Sequence, residues 1–328
     1  MELSTRIMIP KGDFSLSYSD KLLLLGSCFA ENIGQKLLNY KFNVDSNPFG
    51  ILYNPYSIAS AIRILKSNKE YMAKDLFQYE GVFHSFDHHS RFSSTREADC
   101  LQLINSRLTS SRAKLPTTST AIITLGTSFI YHLKETGKPV TNCHKLPEKY
   151  FIRRRYELAE IAKICDNIMQ ELLVLHPQIH VIFTVSPIRH WKDGAHANQL
   201  SKATLLLAID KIQQNYPNHV TYFPAYEIMM DELRDYRFYT DDMLHPSPLA
   251  IEYIWQHFCE SYMNKETLQI MKEWEKIQKA INHRPFNPQS EIYHKFILQT
   301  LLKIERITRK FPFFDSENEI KALKSKLI

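Results

Sequence analysis

The first 260 residues alternate between short apolar runs and longer segments in which apolar residues recur every three or four positions. Each apolar run is too short to span a membrane and is typical of a buried strand. The periodic segments between the runs are typical of amphipathic helices. The alternation predicts a mainly parallel sheet with helices on both faces, with strands in the runs 21–25, 119–125, 179–185 and 220–223.

Small polar residues follow the first three predicted strands, with Ser27 after the first, Thr127 after the second and Ser186 after the third. Because the carboxyl ends of parallel strands lie at one edge of a sheet, we expect these side chains to share that edge. Ser27 also precedes a helix-periodic segment, so a helix N-cap, with Glu31 in the first turn, is the commoner role for a serine in this position and a nucleophile the rarer one. The strand–turn–helix pattern alone leaves both roles open.

The last 66 residues have a purely helical pattern. Two amphipathic segments, near 265–283 and 289–309, are separated by an Arg-Pro-Phe-Asn-Pro stretch. We therefore predict an α/β domain over residues 1–262 and a helical extension over residues 263–328. The extension either covers the domain or forms a homodimer contact, and the sequence does not distinguish these alternatives.

Composition narrows the classes of function. The chain has 328 residues, of which 44% are hydrophobic, enough for a sizeable core, and only 8 glycines, which argues against a glycine-rich nucleotide-binding fold. The net charge of +6 is spread along the chain, apart from three arginines at 153–155, so we expect no nucleic-acid partner. No apolar run approaches transmembrane length, so we expect no membrane partner either.

Cysteine usage and the N-terminal sequence suggest a location inside the cell. The five cysteines show no Cys-x-x-Cys spacing and are odd in number, as expected for reduced thiols. The first residues lack the basic-then-apolar order of a signal peptide. We therefore expect a cytoplasmic protein.

A histidine-rich loop spans residues 81–94 and contains His84, Asp87, His88 and His89. Imidazole and carboxylate groups are metal ligands, so a metal-dependent hydrolase that uses this loop is one hypothesis. No second half of a site follows at zinc-finger spacing, and we therefore expect neither a metal nor another cofactor. We predict that the four side chains line a substrate pocket; a hydrogen-bonded loop core is the alternative.

A second set of residues has the composition needed for acyl transfer. A nucleophilic serine needs a base to accept its proton and a carboxylate to orient that base. Ser27 stands near the start of the chain, and Asp242 and His245 stand three residues apart near the end of the α/β part. Ser27 does not lie in a Gly-x-Ser-x-Gly motif, which excludes the usual nucleophile elbow of α/β-hydrolases.

The order of these residues resembles the SGNH (GDSL-like) hydrolase superfamily, and within it the GSCFA family is more similar still. The resemblance extends over about residues 20–260, and several unrelated strings carry it in the same order. They are GSCFA at 26–30, NPFGI at 47–51, HSFDHHS at 84–90, LGT at 125–127, NCHK at 142–145, SPIRH at 186–190 and DMLHPS at 242–247. The resemblance implies a three-layer α/β/α fold.

The resemblance also implies roles for single residues. Ser27 would be the nucleophile, His245 the base and Asp242 the group that orients it. The neighbouring Cys28 is a rival nucleophile, although adjacent side chains diverge and only one of the pair can face His245.

The oxyanion hole is where this chain departs from the superfamily pattern. That hole is formed by the amide of the serine, here Ser27, by a glycine amide, for which we choose Gly50, and by an asparagine side chain. The superfamily's Gly-x-Asn-Asp string would fall at 126–129, where the chain reads Gly-Thr-Ser-Phe and lacks an asparagine. Asn142 is our candidate for the missing donor.

We therefore expect a serine-dependent esterase or acyltransferase that acts on O-acyl, especially acetyl, esters of small molecules or carbohydrates. Arg189 either binds an anionic part of the substrate through its planar guanidinium or is an ordinary surface arginine. The rival hypotheses are a non-catalytic ligand-binding protein on the same scaffold, which the missing asparagine favours, and the metal-dependent hydrolase described above.

Overall fold

The computed structural model describes residues 5–312 and 314–327. The strands are β1 Lys21–Gly26, β2 Asn43–Ser46, β3 Phe77–Tyr79, β4 Val82–His84, β5 Thr120–Leu125, β6 Phe129–Leu133, β7 Pro139–Val140, β8 Phe151–Arg155, β9 His180–Val185 and β10 Val220–Phe223. The helices are α1 Cys28–Asn39, α2 Pro55–Lys66, α3 Glu97–Lys114, α4 Leu158–Leu175, α5 Gly194–Asn215, α6 Ala225–Glu227, α7 Pro248–Tyr262, α8 Lys265–Ile281, α9 Glu291–Lys310 and α10 Glu317–Lys324.

The central sheet has five parallel strands in the order β10-β9-β5-β1-β2. Four of them are the predicted strands, and the three-layer α/β fold with helical C-terminal segments is confirmed. The edge strand β2 is missed because Asn43-Val44-Asp45-Ser46 offers one apolar residue to the pattern. Its Asp45 is buried and forms an ion pair with Arg107 of α3.

Both faces of the sheet are covered, which explains why β1 is apolar at consecutive positions. Leu23 and Leu25 pack in the core beneath α2, α3, α4 and α5, whereas Leu22 and Leu24 pack in the core beneath α1 and α7. All four side chains are at most 2% exposed. A strand buried on both faces therefore reads as a continuous hydrophobic run.

The C-terminal helices extend the second of these cores rather than standing apart from it. Trp274 of α8 is fully buried, and its indole Nε1 donates a hydrogen bond to the carbonyl of Asn39 at 2.8 Å. The hydroxyl of Tyr40 donates to Glu275 at 2.6 Å, so α8 is fastened to the end of α1 at two points. The helices thus cover the α/β part; a homodimer contact and the boundary at residue 262 remain predictions.

A three-stranded antiparallel sheet of β7, β6 and β8 stands beside the carboxyl edge of the central sheet. The strand β6 begins directly after the polar residues that follow β5, so the small sheet forms a wall there. No helix in the described part of the chain is long and apolar enough to cross a membrane. All five cysteines are free thiols. Residues 1–4, on which the expectation of no signal peptide partly rests, lie outside the described residues.

Replacing Trp274 by Ala tests whether the helical extension is part of the folded core. The change removes a fully buried indole and its hydrogen bond, so we expect the free energy of unfolding to fall by about 3–5 kcal/mol. Urea titration followed by circular dichroism measures this loss. Phe286→Ala is the control, because Phe286 is fully exposed and its removal should cost little. A loss under about 1 kcal/mol for Trp274→Ala would show that α8 contributes little to the core.

Candidate active site

A pocket of about 490 Å³ opens at the carboxyl edge of the central sheet. Ser27 follows β1, Thr127 follows β5 and Ser186 follows β9, and all three line this pocket, as their positions after the strands predict. His245, from the loop before α7, lines the same pocket. The fold therefore brings the two ends of the α/β part together at one site.

Ser27 occupies the junction between β1 and α1 and is 1% exposed. Its Oγ accepts a hydrogen bond from the amide of Phe29 at 3.2 Å, so the N-cap role is confirmed. The same hydroxyl donates to Oγ of Ser186 at 3.1 Å. Capping uses an acceptor position of the oxygen and leaves its proton to be donated, here to Ser186.

The loop that contains NPFGI is hydrogen-bonded to this junction. The side-chain oxygen of Asn47 accepts a hydrogen bond from the amide of Gly26 at 2.9 Å. The amide of Leu52 donates to the carbonyl of Gly26 at 2.8 Å. Both backbone groups of the residue before Ser27 are therefore paired, which fixes the position of the serine.

Asp242 and His245 form a tight pair, with Oδ2 of the carboxylate 2.5 Å from Nδ1 of the imidazole. The other carboxylate oxygen accepts hydrogen bonds from the amides of Leu244 and His245, both at 2.9 Å, and from the hydroxyl of Thr240 at 2.8 Å. These bonds, chiefly those from the backbone amides, lower the pKa of Asp242 well below its usual range. An ionised Asp242 keeps the proton of His245 on Nδ1 and leaves Nε2 as the acceptor.

The hydroxyl of Ser27 is bonded to Ser186 rather than to His245 in this structure. The serine and the histidine line one pocket, and a proton transfer between them requires the hydroxyl of Ser27 to redirect its proton from Ser186 to His245. Catalytic hydrogen bonds are commonly long or misaligned before substrate binds. Asp242 itself lies behind His245 and does not line the pocket.

Cys28, the rival nucleophile, also lines the pocket. Burial raises the pKa of its thiol to about 11. The sulfur therefore stays protonated at neutral pH, whereas the thiolate is the nucleophilic form. This favours Ser27 over Cys28.

The structure does not bring Gly50 to the pocket. Its amide donates to the carbonyl of Asn47 at 2.8 Å, within a turn where Gly50 has a φ of +81°. A Cβ at this position would lie 2.2 Å from Cβ of His89, so only glycine fits. The glycine is thus explained by backbone conformation and close packing, and its amide is already paired.

Asn142 does line the pocket, as expected of an oxyanion donor. Its side-chain oxygen accepts a hydrogen bond from the amide of His144 at 2.8 Å. That bond assigns the carbonyl end of the side chain to the loop and leaves the Nδ2 donor as the end available to a ligand.

Asn54 is a second candidate donor, although an asparagine directly before a proline and a helix-periodic segment predicts only a helix cap. Its side-chain oxygen caps α2 by accepting a hydrogen bond from Ser57 at 2.9 Å, and the residue also lines the pocket. The preceding carbonyl, of Tyr53, accepts the amides of Gly126 at 2.8 Å and Thr127 at 2.9 Å. Asn54 therefore lies beside the very stretch that lacks the expected asparagine. A signal for this role exists in the sequence, because an asparagine that caps a helix uses only its side-chain oxygen and keeps its NH₂ group for another partner.

The four residues of the histidine-rich loop do not line the pocket, contrary to the prediction. Nδ1 of His84 lies 2.7 Å from the hydroxyl of Ser93, and Nδ1 of His88 lies 3.0 Å from the hydroxyl of Ser85. The imidazole of His89 packs against Gly50. The alternative, a hydrogen-bonded loop core, describes what the structure shows.

Asp87 also belongs to this loop core, where it accepts a hydrogen bond from the hydroxyl of Tyr71 at 2.7 Å and lies 3.5 Å from Lys69. Over residues 5–312 and 314–327, no group of three or more His, Cys, Asp and Glu side chains is arranged to hold a metal ion. The metal hypothesis therefore has no ligand set in this loop.

The histidine-rich loop instead supports the segment that carries Asn142. The amides of Thr141 and Asn142 donate to the carbonyl of Phe86 at 2.9 and 3.3 Å. Nε2 of His144 lies 2.8 Å from the carbonyl of Ser85, and its ring packs against His84 with centroids 4.5 Å apart. The loop thus acts on the pocket indirectly, by fixing the backbone on either side of Asn142.

Lys202 of α5 is a buried residue that sequence reasoning missed altogether. Its Nζ donates to the carbonyl of Gly126 at 2.8 Å and to the carbonyl of Ser186 at 2.7 Å, and so joins the ends of β5 and β9 beneath the pocket. The side chain is 1% exposed, and burial lowers the pKa of its amine to about 7. A lysine at an inward-facing helix position gives no signal of this kind in the sequence.

Arg189, the remaining residue predicted to bind substrate, lines the pocket. Its Nη2 donates to the carbonyl of Met243 at 2.5 Å, in the loop between Asp242 and His245. The arginine therefore contacts both the pocket and the loop that positions the histidine.

Comparison with known proteins gives a family and a set of remote structural neighbours. Residues 21–258 match the profile described as the GSCFA family, and residues 274–328 match that of the GSCFA domain protein C-terminal domain. No curated protein matches the chain in sequence.

Two solved structures illustrate the structural likeness. One is a mutant acetyl esterase with an acetate ion, at 11% identity and a TM-score of 0.38, over 77% of this chain and 99% of that one. The other is an acetyl xylan esterase from the rumen bacterium Butyrivibrio proteoclasticus, at 12% identity and a TM-score of 0.39, over 75% of this chain and 64% of that one. Similarity at this level carries no argument about activity.

The buried histidines predict that the fold loses stability in mild acid. Burial lowers the pKa of His88 from 6.5 to about 3 and that of His144 to about 4, so both remain neutral in the folded protein where the unfolded chain is protonated. Above the unfolded pKa of 6.5 the histidines are neutral in both states and cost no stability. As the pH falls from 6.5 towards the lowered pKa of the folded protein, only the unfolded chain takes up protons, so the free energy of unfolding decreases. At about pH 5 the loss should be about 2 kcal/mol for His88.

Urea unfolding at neutral pH and at about pH 5 measures this effect. His88→Gln removes the titrating group, so its stability should depend less on pH than that of the wild type by about the same 2 kcal/mol. His196→Gln, at an exposed position, is the matched control and should behave like the wild type. An unchanged pH dependence in His88→Gln would contradict the assignment.

Proposed function

The chain belongs to the GSCFA family, and from the geometry of its pocket we propose that it is a serine-dependent esterase or acyltransferase. It acts on O-acyl esters through an acyl-enzyme formed on Ser27. One observation carries the proposal: His245, whose Nδ1 lies 2.5 Å from Oδ2 of Asp242, shares a pocket with a buried serine at the carboxyl edge of the sheet. The order Ser27, Asp242, His245 is also that of the SGNH superfamily, to which we assign the domain.

Acylation begins when the hydroxyl of Ser27 turns from Ser186 to Nε2 of His245. The imidazole takes the proton while Oγ forms a bond to the acyl carbon, and the carbonyl π electrons move onto its oxygen. When the tetrahedral intermediate collapses, the bond to the alcohol oxygen breaks and His245 returns the proton to that oxygen. Asp242 stays ionised throughout and stabilises the imidazolium.

The negative charge that forms on the acyl oxygen needs hydrogen-bond donors close to Ser27. The first amides of α1 have no partner within the helix, and the positive end of the helix dipole lies there. We propose that the side-chain amides of Asn142 and Asn54 complete the oxyanion site, in place of the Gly50 amide and the missing asparagine.

The second half-reaction transfers the acyl group to water or to another hydroxyl. Four aromatic residues line the pocket, namely Tyr53, Phe129, Tyr131 and Trp191. Aromatic faces of this kind pack well against the apolar faces of sugar rings, so the geometry supports a carbohydrate ester of a short acyl group such as acetyl. A sugar hydroxyl held against these rings would be the acceptor in a transferase.

One observation favours a second candidate function, a ligand-binding protein without catalysis. Ser27 donates to Ser186 and not to His245. In a protein without catalysis this hydrogen bond would also persist when a ligand is bound. The pairing of Asp242 with His245 argues against it, because a mere binding site has no need of an oriented imidazole. Labelling of Ser27 decides between the two.

The nucleophile is tested with a fluorophosphonate probe and with hydrolysis of p-nitrophenyl acetate. We expect labelling at Ser27 alone, and we expect Ser27→Ala to lose both labelling and turnover, by on the order of 10³-fold or more. The substitution also removes a helix cap, which costs about 1 kcal/mol. Ser290→Ala, which removes the cap of α9, is the matched control and should keep full activity. A folded wild-type protein that resists the probe would favour the binding protein instead.

The oxyanion donors are tested by substitutions that keep the hydrogen bonds seen in the structure. Asn54→Asp keeps the cap on α2 and Asn142→Asp keeps the acceptor for His144, yet each removes the NH₂ donor. We expect kcat to fall about 10²-fold or more in each variant with a small change in KM, because the lost bond forms mainly in the transition state. An unchanged kcat would remove the residue concerned from the oxyanion site. Circular dichroism checks that each variant is folded.

A further inference from the structure

The pocket has an excess of positive charge that the proposed chemistry does not use. Three cationic side chains line it, those of Arg153, Arg189 and Lys192. None of the described residues that line it is an aspartate or a glutamate. Acyl transfer at Ser27 requires no cation at the rim, so these side chains point to a property of the substrate.

Two of the three cations already have an acidic partner. Arg153 forms a two-pronged ion pair with Asp193, in which Nη2 and Oδ2 are 2.8 Å apart. Lys192 lies 2.5 Å from Glu148. Over the described part of the chain, Arg189 has no carboxylate within 4 Å. The unmatched positive charge of the pocket is therefore that of Arg189.

The guanidinium of Arg189 is held in place but not satisfied. It lies over the rings of Trp191 and Tyr239, 5.3 and 5.0 Å from their centroids, and Nη2 donates to the carbonyl of Met243. Nε is buried and has no hydrogen-bond partner. A guanidinium has five N–H donors in a rigid plane, and here one carbonyl accepts from it. An orientation fixed by two rings with donors to spare suits a carboxylate or a phosphate.

The position of Arg189 indicates which part of the substrate carries the charge. Its partner Met243 belongs to the loop that holds His245, and His245 returns the proton to the alcohol oxygen. The acyl oxygen, in contrast, is directed to the start of α1 and to the asparagine side chains. An anion on Arg189 therefore belongs to the alcohol part of the ester.

We propose that Arg189 binds an oxyanion group on the alcohol part of the substrate, so that the natural substrate is an O-acyl ester of an anionic molecule such as a sugar acid or a sugar phosphate. This inference rests on the proposed function for its chemistry, but the binding site is separately testable. Trp191, half exposed at the rim, would pack against the sugar ring while Arg189 holds its charged group.

The activity test compares a mono-O-acetyl glucuronate, its neutral methyl ester and a mono-O-acetyl glucose 6-phosphate. We expect the wild type to prefer one or both charged esters by about tenfold or more in kcat/KM, as for a charge-assisted hydrogen bond. Arg189→Gln should remove that preference through KM, and Arg189→Lys should restore part of it. The two charged esters distinguish a carboxylate site from a phosphate site.

Arg234→Gln is the matched control. Arg234 lies in the neighbouring surface cleft with Arg189 and Tyr239, is exposed and pairs with Asp231, so the variant changes the net charge equally. It should keep the wild-type preference. If Arg189→Gln lowers activity equally on charged and neutral esters, Arg189 merely positions the loop of His245 through Met243, and the proposal is overturned. A wild type that prefers the methyl ester overturns it as well.

A binding measurement separates this inference from the proposed function. Isothermal titration of the Ser27→Ala variant with glucuronate and with glucose 6-phosphate needs no turnover. We expect one of them to bind, and binding to weaken by about tenfold or more when Arg189→Gln is added. Equal affinity with and without Arg189, or no binding of either anion, overturns the site even if Ser27 is an active nucleophile. Binding that depends on Arg189 in a protein without esterase activity would leave the site standing and remove the catalytic proposal.

Discussion

The pocket depends on a buried amine. Lys202 takes the carbonyls of Gly126 and Ser186 as its acceptors and thereby joins the ends of two neighbouring strands at the point where both leave the sheet. Each carbonyl follows a strand and would otherwise lack a ladder partner, which costs about 1–3 kcal/mol for a buried group. Burying the amine is also costly, and the depressed pKa of Lys202 is the mark of that cost. In return, the hydrogen bonds of Lys202 fix the backbone of Ser186, whose hydroxyl accepts the hydrogen bond from Ser27.

The same edge explains how much of the site could be predicted from sequence. Ser27, Thr127 and Ser186 follow buried strands, and the geometry of a parallel sheet alone brings such residues together. Whether they then contact each other depends on the directions of their side chains, which the pattern of apolar and polar residues does not reveal. The bond from Ser27 to Ser186 is an example, because two serines separated by 159 positions carry no sign of their pairing.

The histidine-rich loop and Gly50 show where a motif misleads. His84, His88 and His89 are close in sequence, but the partner that completes their cluster is His144, on a different loop. The spacing of the histidines along one loop could therefore not reveal these contacts. His84 packs against His144, and His84 and His88 bond to neighbouring serines rather than to a ligand. Gly50 is predicted to supply an oxyanion amide, but the structure explains this glycine by a turn packed against His89. In both cases the residues matter to the site through the backbone that they hold.

The nucleophile and the base differ in burial, and Arg189 connects the loop of the base to the pocket. Ser27 is 1% exposed on a paired sheet edge, whereas the side chains of Asp242 and His245 are 46% and 48% exposed on a loop whose Met243 has a φ of +59°. Between these two residues the loop is fastened to the β9–α5 loop by the bond from Arg189 to the carbonyl of Met243. The same guanidinium thus faces the pocket and holds the loop of His245. An anion bound to it would place the alcohol part of the substrate beside the imidazole that returns the proton to the alcohol oxygen, as expected where binding energy is used to position reacting groups.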